Sequence, residues 1–287
     1  MCRFVAYLGK PIVIDELLFK PVNSLIKQSI RARETDEPLN GDGFGLGWYA
    51  HHIDFTPGLF TSTQPAWNDR NLHSLSATIR THCLFAHVRA ASSGGVGVYN
   101  CHPFQYKRFL FMHNGEIGGF SRIKRHIRHE LCDEIYDWIK GQTDSEHFFA
   151  LFLQTYQDMH GTLETEPMAA VMCATIKRLE KIQKAHGVED INYLNLAMTD
   201  GFSMMALRYV SDPQVACPTL YYSAGSSYES REGTCHMLPL HKGEGNSAVL
   251  LVSEKLTNYK AEWSEIPVNH LLLVQHDLSL TLQVANV

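Results

Sequence analysis

Apolar positions follow two kinds of pattern along the chain: short runs suited to strands in the first and last parts, and helical stripes between them. The first run, Phe4-Val5-Ala6-Tyr7-Leu8, predicts a strand closed by a turn at Gly9-Lys10-Pro11. Asp15 to Leu18 begins a short helical segment that Pro21 interrupts, and Asn23 or Ser24 can cap a second one carrying Leu25, Ile26 and Ile30. In Asn40-Gly41-Asp42-Gly43-Phe44-Gly45-Leu46-Gly47-Trp48-Tyr49, glycine alternates with other residues and the segment runs into aromatic strand formers. It lacks the Lys-Ser/Thr of a phosphate loop. Alternate glycines on a strand instead leave one face bare for another backbone or a ligand.

Trp67 to Ile79 predicts a helix capped at Asn68, with Leu72, Leu75 and Ile79 on one face. Cys83–Ala91 predicts a strong strand ending in the loop Ser92-Ser93-Gly94-Gly95. Phe109–Met112 predicts another, ending at His113-Asn114-Gly115. Short helices are expected over Phe120–Leu131 and Asp133–Ile139. Thr143-Asp144-Ser145-Glu146 fits a capping box before a helix burying Phe148, Phe149, Phe152 and Tyr156. A second long helix is expected from Pro167 to Lys184, with Met168, Val171, Met172, Ile176, Leu179 and Ile182 on one stripe. From there the pattern is strand again: Asn192–Thr199, Met204–Val210, Thr219–Ser223, Ala248–Ser253, His270–Gln275 and Ser279–Val284, with turns at Asp200-Gly201 and Asp277. Strands, two long helices and strands again predict one α+β domain over residues 2–287, its sheets packed under helices.

Composition narrows the function classes. The 287 residues are 45% hydrophobic and 19% charged, with a net charge of -5, which gives no electrostatic reason to expect nucleic acid or an anionic membrane as partner. No apolar run approaches the roughly 20 residues of a membrane span, and nothing resembles a signal peptide, so a cytoplasmic location is expected. Seven scattered cysteines without a C-x-x-C pair read as reduced thiols. The sixteen histidines, His51-His52, His102 and His113 among them, form no paired ligand motif, and neither metal nor cofactor is expected.

The candidate chemistry begins at Met1-Cys2-Arg3. Removal of the initiator methionine would make Cys2 the N-terminal residue, combining a thiol nucleophile with an α-amine whose reference pKa of roughly 7.7–8.0 suits a general base. As a structural residue, Cys2 would be a small hydrophobe at a strand start. Arg89 could pair with a nearby carboxylate or clamp a substrate carboxylate with its planar fork. Asn114-Gly115 could be a hairpin turn, or an oxyanion hole made of the Asn114 side-chain amide and the Gly115 N–H. Asp144 could complement the helix dipole or bind a substrate ammonium. His102 could be a satisfied loop histidine or line the pocket.

Taken in order, Cys2, Asn40-Gly41-Asp42-Gly43-Phe44-Gly45, Ala86-His87-Val88-Arg89-Ala90, Asn100-Cys101-His102-Pro103-Phe104, His113-Asn114-Gly115 and Thr143-Asp144-Ser145-Glu146 resemble the class II glutamine amidotransferase domain, an N-terminal-nucleophile hydrolase. The free-standing members look most similar, particularly the γ-glutamyl hydrolases that degrade glutathione in fungi and their bacterial relatives. The resemblance implies a four-layer αββα sandwich and hydrolysis of a small γ-glutamyl amide through a Cys2 thioester that releases glutamate. Asn114 and Gly115 would hold the oxyanion, Arg89 the α-carboxylate and Asp144 the α-ammonium, with His102 at the pocket. Ala90, Ala91, Ser92 and Ser93 follow Arg89 where synthase-fused members carry tryptophan and a Thr-His pair, which leaves the leaving amine open. The alternatives are a glutaminase subunit feeding ammonia to a separate partner subunit, since no synthase domain is expected after Val287, and a catalytically idle scaffold of the same fold.

Overall fold

The computed structural model describes residues 2–35, 38–91, 94–160, 168–231, 234–240 and 243–287. Met1, Ser92, Ser93 and Pro167, on which expectations about processing, a loop and a helix start were placed, lie outside the described residues. β1 (Arg3–Val13) leads into α1 (Asp15–Leu18) and α2 (Leu25–Ile30), then the hairpin of β2 (Phe44–Ala50) and β3 (Asp54–Ser62). Next come α3 (Arg70–Thr78), β4 (Arg80–Val88), β5 (Phe104–Tyr106) and β6 (Phe109–Glu116). The helices α4 (Phe120–His129), α5 (Asp133–Trp138), α6 (Asp144–His160) and α7 (Met168–Ala185) run consecutively. The remainder is strand: β7 (Tyr193–Thr199), β8 (Met204–Val210), β9 (Tyr221–Gly225), β10 (Ser227–Arg231), β11 (Thr234–Leu238), β12 (Ala248–Val252), β13 (Ser264–Glu265), β14 (His270–Val274) and β15 (Leu280–Val284).

Among the described residues, one seven-stranded sheet runs β13-β9-β12-β1-β4-β2-β3 and one six-stranded sheet runs β15-β14-β8-β7-β6-β5, with β10 and β11 as a separate ribbon. Neighbouring strands pair antiparallel. The alternation of β1 shows the layering. Val5 and Tyr7 pack with Leu17, Leu18, Leu25 and Leu72 of α1–α3, whereas Phe4, Ala6 and Leu8 meet Leu110, Met112, Ala197 and Ala206 of the second sheet. The far side of that sheet is covered by α4–α7 through Ile123, Ile135, Phe148, Phe149, Phe152, Val171 and Ile176. The architecture is therefore α+β in four layers, αββα.

Several elements depart from expectation for local reasons. β1 continues through Gly9-Lys10-Pro11 instead of turning there. A Cβ on Gly9 would lie 2.6 Å from the Ser247 carbonyl oxygen, and Lys10 N donates to that same oxygen at 2.9 Å, so the glycine admits a neighbouring backbone. Pro11 falls where pairing with β4 lapses between Leu8 and Ile12, so its missing N–H leaves no ladder bond unmade. The helix after Trp67 is capped by Asp69, whose carboxylate accepts from Leu72 N, and not by Asn68, which lies in a preceding 3₁₀ turn. Asn114-Gly115 is no hairpin turn: β6 runs straight through it, opposite Asn195 and Leu194 of β7.

The bare face of β2 is closely covered, as its alternate glycines predict, by backbone at Gly45 and by the Leu110 and Pro103 side chains at Gly47. A Cβ on Gly45 would sit 2.2 Å from the His102 carbonyl oxygen, and one on Gly47 would sit 3.0 Å from the Pro103 ring. The His102-Pro103 peptide is cis. Gly45→Ala must therefore displace the 101–103 segment, and a loss of about 1–3 kcal/mol is expected from such overpacking. Gly97→Ala, where the new methyl meets nothing closer than Asn100 Nδ2 at 3.6 Å, is the control and should stay within about 0.5 kcal/mol of the parent. Urea unfolding of the two variants makes the comparison; equal stabilities would contradict the close approach.

Candidate active site

Cys2 stands one residue ahead of the first ladder pair of β1, Arg3 with Val88. Its thiol lies 3.4 Å from both the backbone N and the carbonyl oxygen of Ala90. Burial pushes the thiol above its ordinary value, while the Ala90 N–H and the positive charges of Arg89 and Arg3 act in the opposite direction. By alternation Cys2 shares the face of Phe4 and Ala6 and so points into the gap between the sheets.

Arg89 leaves the end of β4 buried. Its N–H donates to the Gly43 carbonyl at 2.8 Å, its carbonyl accepts from Asp42 N at 3.0 Å, and its Nη1 donates to Gly95 O at 2.7 Å. The Asp42 carboxylate accepts from Ala91 N at 2.8 Å, so the glycine-rich segment splints the chain on both sides of Arg89. Gly43 is left-handed at φ +114°, and a Cβ there would meet Cys101 Sγ at 2.7 Å.

Asn114 shares the face of Leu110 and Met112 on β6 and faces the same gap. It is 1% exposed, and neither its Nδ2 nor its Oδ1 has a hydrogen-bond partner among the described residues. Since buried amides are almost always paired, this side chain is either a standing cost of about 1–3 kcal/mol or a donor kept for a ligand. Gly115 is required by space: a Cβ would lie 1.9 Å from Tyr193 O and 2.7 Å from His113 Nε2. His113, on the opposite face, bonds Ser145 Oγ through Nδ1 at 2.9 Å and Tyr193 O through Nε2 at 3.0 Å. Burial lowers its pKa, and the Asp144 carboxylate opposes that.

Asp144 opens α6 with its carboxylate buried, accepting from Ile117 N and Ser145 N, both at 2.9 Å. Thr143 Oγ1 caps the helix by accepting from Glu146 N at 3.2 Å. Glu146 reaches back further than a capping box requires, to Lys140 N at 2.8 Å and Gly141 N at 2.7 Å. Asn100 ties the two regions together: its Nδ2 donates to Gly94 O and Gly95 O, and its Oδ1 accepts from Gln142 N at 2.9 Å. The loop that touches Arg89 is thus bonded to the loop that delivers Asp144.

His102 is 3% exposed and stacks on His87 at 4.2 Å between centroids and edge-on against Phe104. The ring nitrogens of His102 lack partners among the described residues, and those of His87 have no more than a weak approach to the His113 backbone. Sequence reasoning passed over Asn100's bridging role, the His113–Ser145 bond, and Arg3 with Ser253 and Glu254; none has a spacing signature, because each depends on contacts across the fold. Among the described residues no three His, Cys, Asp or Glu side chains come together to hold a metal ion, and no helix is long and apolar enough to cross a membrane.

Burial pushes His87 down to about 3 from an ordinary 6.5, and holds His102 well below that value. Between those limits the unfolded chain binds protons that the folded chain refuses, so stability rises with pH. The contribution is complete above pH 6.5 and is lost as pH falls toward 3. His102→Phe keeps an aromatic ring and removes one of the two titrations, so its unfolding free energy should fall less steeply than the parent's between about pH 6 and pH 4. Urea titrations across that range decide it, and parallel curves would reject buried neutral imidazoles.

The model of the class-II glutamine amidotransferases matches residues 20–285. The probable glutamine amidotransferase DUG3 of Saccharomyces cerevisiae is 34% identical over 294 residues, covering 96% of this chain and 82% of that protein. The γ-glutamyl-hercynylcysteine sulfoxide hydrolase of Mycobacterium tuberculosis is 34% identical over 119 residues, 41% of this chain and 50% of the relative. Among solved structures, a glutamine aminotransferase class-II domain protein from Silicibacter pomeroyi aligns over 99% of both chains with a TM-score of 0.65 and 26% identity. The glutamine phosphoribosylpyrophosphate amidotransferase of B. subtilis shares the fold at 12% identity, with a TM-score of 0.61 over 99% of this chain and 49% of its own.

Proposed function

The chain belongs to the class-II glutamine amidotransferase family, and we propose that within it the chain hydrolyses a small γ-glutamyl amide through a thioester on Cys2. The observation that carries this is the unpartnered amide of buried Asn114, which faces the same gap between the sheets as the Cys2 thiol. An oxyanion forming at a carbonyl attacked by that thiol would satisfy the orphaned donor, an interaction gained in the transition state and absent before it.

The steps follow from the groups present. With Met1 removed, the free α-amine of Cys2 takes the thiol proton, directly or through water, and the thiolate attacks the γ-carbonyl carbon. Asn114 Nδ2 and the Gly115 N–H receive the oxyanion. Its collapse breaks the C–N bond, and the leaving amine departs with the proton that the α-ammonium returns. Water, deprotonated by the same α-amine, then attacks the thioester. A second oxyanion collapses to release glutamate and regenerate the thiol. Arg89 binds the α-carboxylate of the glutamyl group through its fork and Asp144 the α-ammonium. The Asn100 bridge between their two loops sets the spacing between these charges.

The substrate class is a γ-glutamyl amide of modest size: glutamine, glutathione or another γ-glutamyl derivative of cysteine. Support for the last comes from the mycobacterial relative, which is named for hydrolysis of a γ-glutamyl-hercynylcysteine sulfoxide. Glutamate release from each substrate by purified protein tests the proposal. Cys2→Ala should be inactive, and Asn114→Ala should lose about 10²–10³ in kcat with little change in KM. A fully active Cys2→Ala protein, or an Asn114→Ala defect confined to KM, would contradict these roles. The self-base step makes a separate demand on processing. Intact-mass analysis should show active preparations beginning at Cys2, and a preparation retaining Met1, whose α-nitrogen at residue 2 is an amide, should be inactive.

A further inference from the structure

The mechanism above leaves a buried ion pair unexplained. Arg3 and Glu254 are 2% and 1% exposed, and Arg3 Nε meets Glu254 Oε2 at 3.2 Å. The carboxylate is held in turn by the backbone N–H groups of Arg33 and Glu34 at 2.9 and 3.1 Å and by Asn23 Nδ2 at 2.9 Å. Gln28 Nε2 donates to the Glu254 carbonyl. Beside it, Ser253 Oγ accepts from Phe4 N at 3.0 Å, and Ser253 N donates to Phe4 O at 3.2 Å. Such a pair adds little to stability compared with an apolar replacement, because two charges have been taken out of water. Arg3 Nη2 also has no acceptor among the described residues, which makes the arrangement costlier still.

What the pair holds is the nucleophile. The register of β1 sets the side that Cys2 faces, but Cys2 precedes the first ladder pair, Arg3 with Val88, and is not itself paired in the ladder. Its carbonyl instead accepts from Arg3 Nη1 at 2.9 Å. On the other side the thiol rests on Ala90. We propose, on the reading of Cys2 as nucleophile, that Arg3 anchored by Glu254 is a positioning residue: it fixes the Cys2 carbonyl, and with it the thiol and the mature α-amine, and supplies a fixed positive charge beside both.

The charge acts usefully on both groups. A neighbouring guanidinium favours thiolate over thiol and free amine over ammonium, which is the protonation pair the first step needs. The charged and titratable groups around Cys2 are the terminal ammonium, Arg89 from the end of β4, Arg3 from its own strand and Cys101 from the segment packed on β2. Glu254 stands behind Arg3, and Asp42 accepts from Ala91 N. Burial opposes thiolate formation, and the Ala90 N–H and the two guanidinium groups reduce that effect without cancelling it.

The test follows alkylation of Cys2 by iodoacetamide against pH, read by mass on the N-terminal peptide of protein beginning at Cys2, together with steady-state glutamate release. Arg3→Met should move the alkylation profile to higher pH, with the reaction at pH 7 slowed about tenfold where the profile moves by about one pH unit, and should lower kcat with KM little changed. Glu254→Gln keeps the side chain's length and one acceptor oxygen but removes the charge that offsets Arg3, so its profile should move the other way, to lower pH. Arg3→Lys, which keeps the charge and loses the fork, should restore the profile more fully than it restores kcat. Circular dichroism and thermal melts confirm which variants are folded, and the milder Arg3→Lys and Glu254→Gln pair decides the matter if Arg3→Met is not. Folded variants with the parent's alkylation profile and an unaltered kcat would overturn the positioning role. Glutamate release by Cys2→Ala would instead overturn the nucleophile assignment itself, and the two failures are thereby distinguished.

Discussion

The layer of side chains between the two sheets is the constraint on which the site depends. Along most of its length it is apolar, with Phe4, Ala6, Leu8, Phe85, Leu110 and Met112 meeting face to face. At one end the same rows continue into Cys2, His87, Arg89 and Asn114, so the candidate site occupies the polar terminus of a core layer. Period-two alternation makes that placement strict. A one-residue slip of β1 would send Cys2 to the helical side and bring Arg3 into the gap, and a slip of β6 would exchange Asn114 for His113. The apolar part of the layer fixes the register, and register delivers the reactive groups.

A second constraint acts from the edge of the sheet. The 101–103 backbone lies against β2 so closely that Gly45 can carry no side chain, and this segment carries His102 onto His87. Just before this stretch stands Asn100, whose amide joins the Arg89 loop to the residues before α6. The two charges assigned to the glutamyl group are thus spaced by backbone-directed hydrogen bonds, and are spared dependence on long flexible side chains. On the proposed reading, such a scaffold would hold the glutamyl half of a substrate rigidly and would say little about the amine beyond it.

Much of this was legible in the sequence, and the reasons for the gaps are physical. The alternate glycines of β2 announced a bare face because the absence of a side chain is itself a sequence feature. The cap at Thr143 and the stripes of α6 and α7 were visible because they are periodic or local. β3 was not, since Asp54, Pro57 and Gly58 are strand breakers that only its position at the sheet edge tolerates. Gly9 and Pro11 looked like a turn because close backbone approach and a lapse in pairing leave the same residues behind as a turn does. Glu254 carried no signal at all: nothing local distinguishes a carboxylate destined for burial from a solvated one, and its partners lie more than 200 residues away.

The electrostatics of the site also form one pattern. The imidazoles of His87 and His102 at the gap, and of His113 on the other face of β6, are all driven toward the neutral form by burial. The positive charge that remains belongs to Arg3 and Arg89, guanidinium groups that do not lose their proton in a protein. The field on Cys2 is therefore constant through the pH range in which an ordinary histidine would change it. Burying charge this way costs stability, and the fold meets that cost differently for each arginine: a carboxylate already anchored by backbone amides holds Arg3, while main-chain carbonyls and the Asp42 splint hold the segment of Arg89. Burial meanwhile pushes the Cys2 thiol above its ordinary value, and the charges of Arg89 and Arg3 act against that push without themselves changing near neutrality.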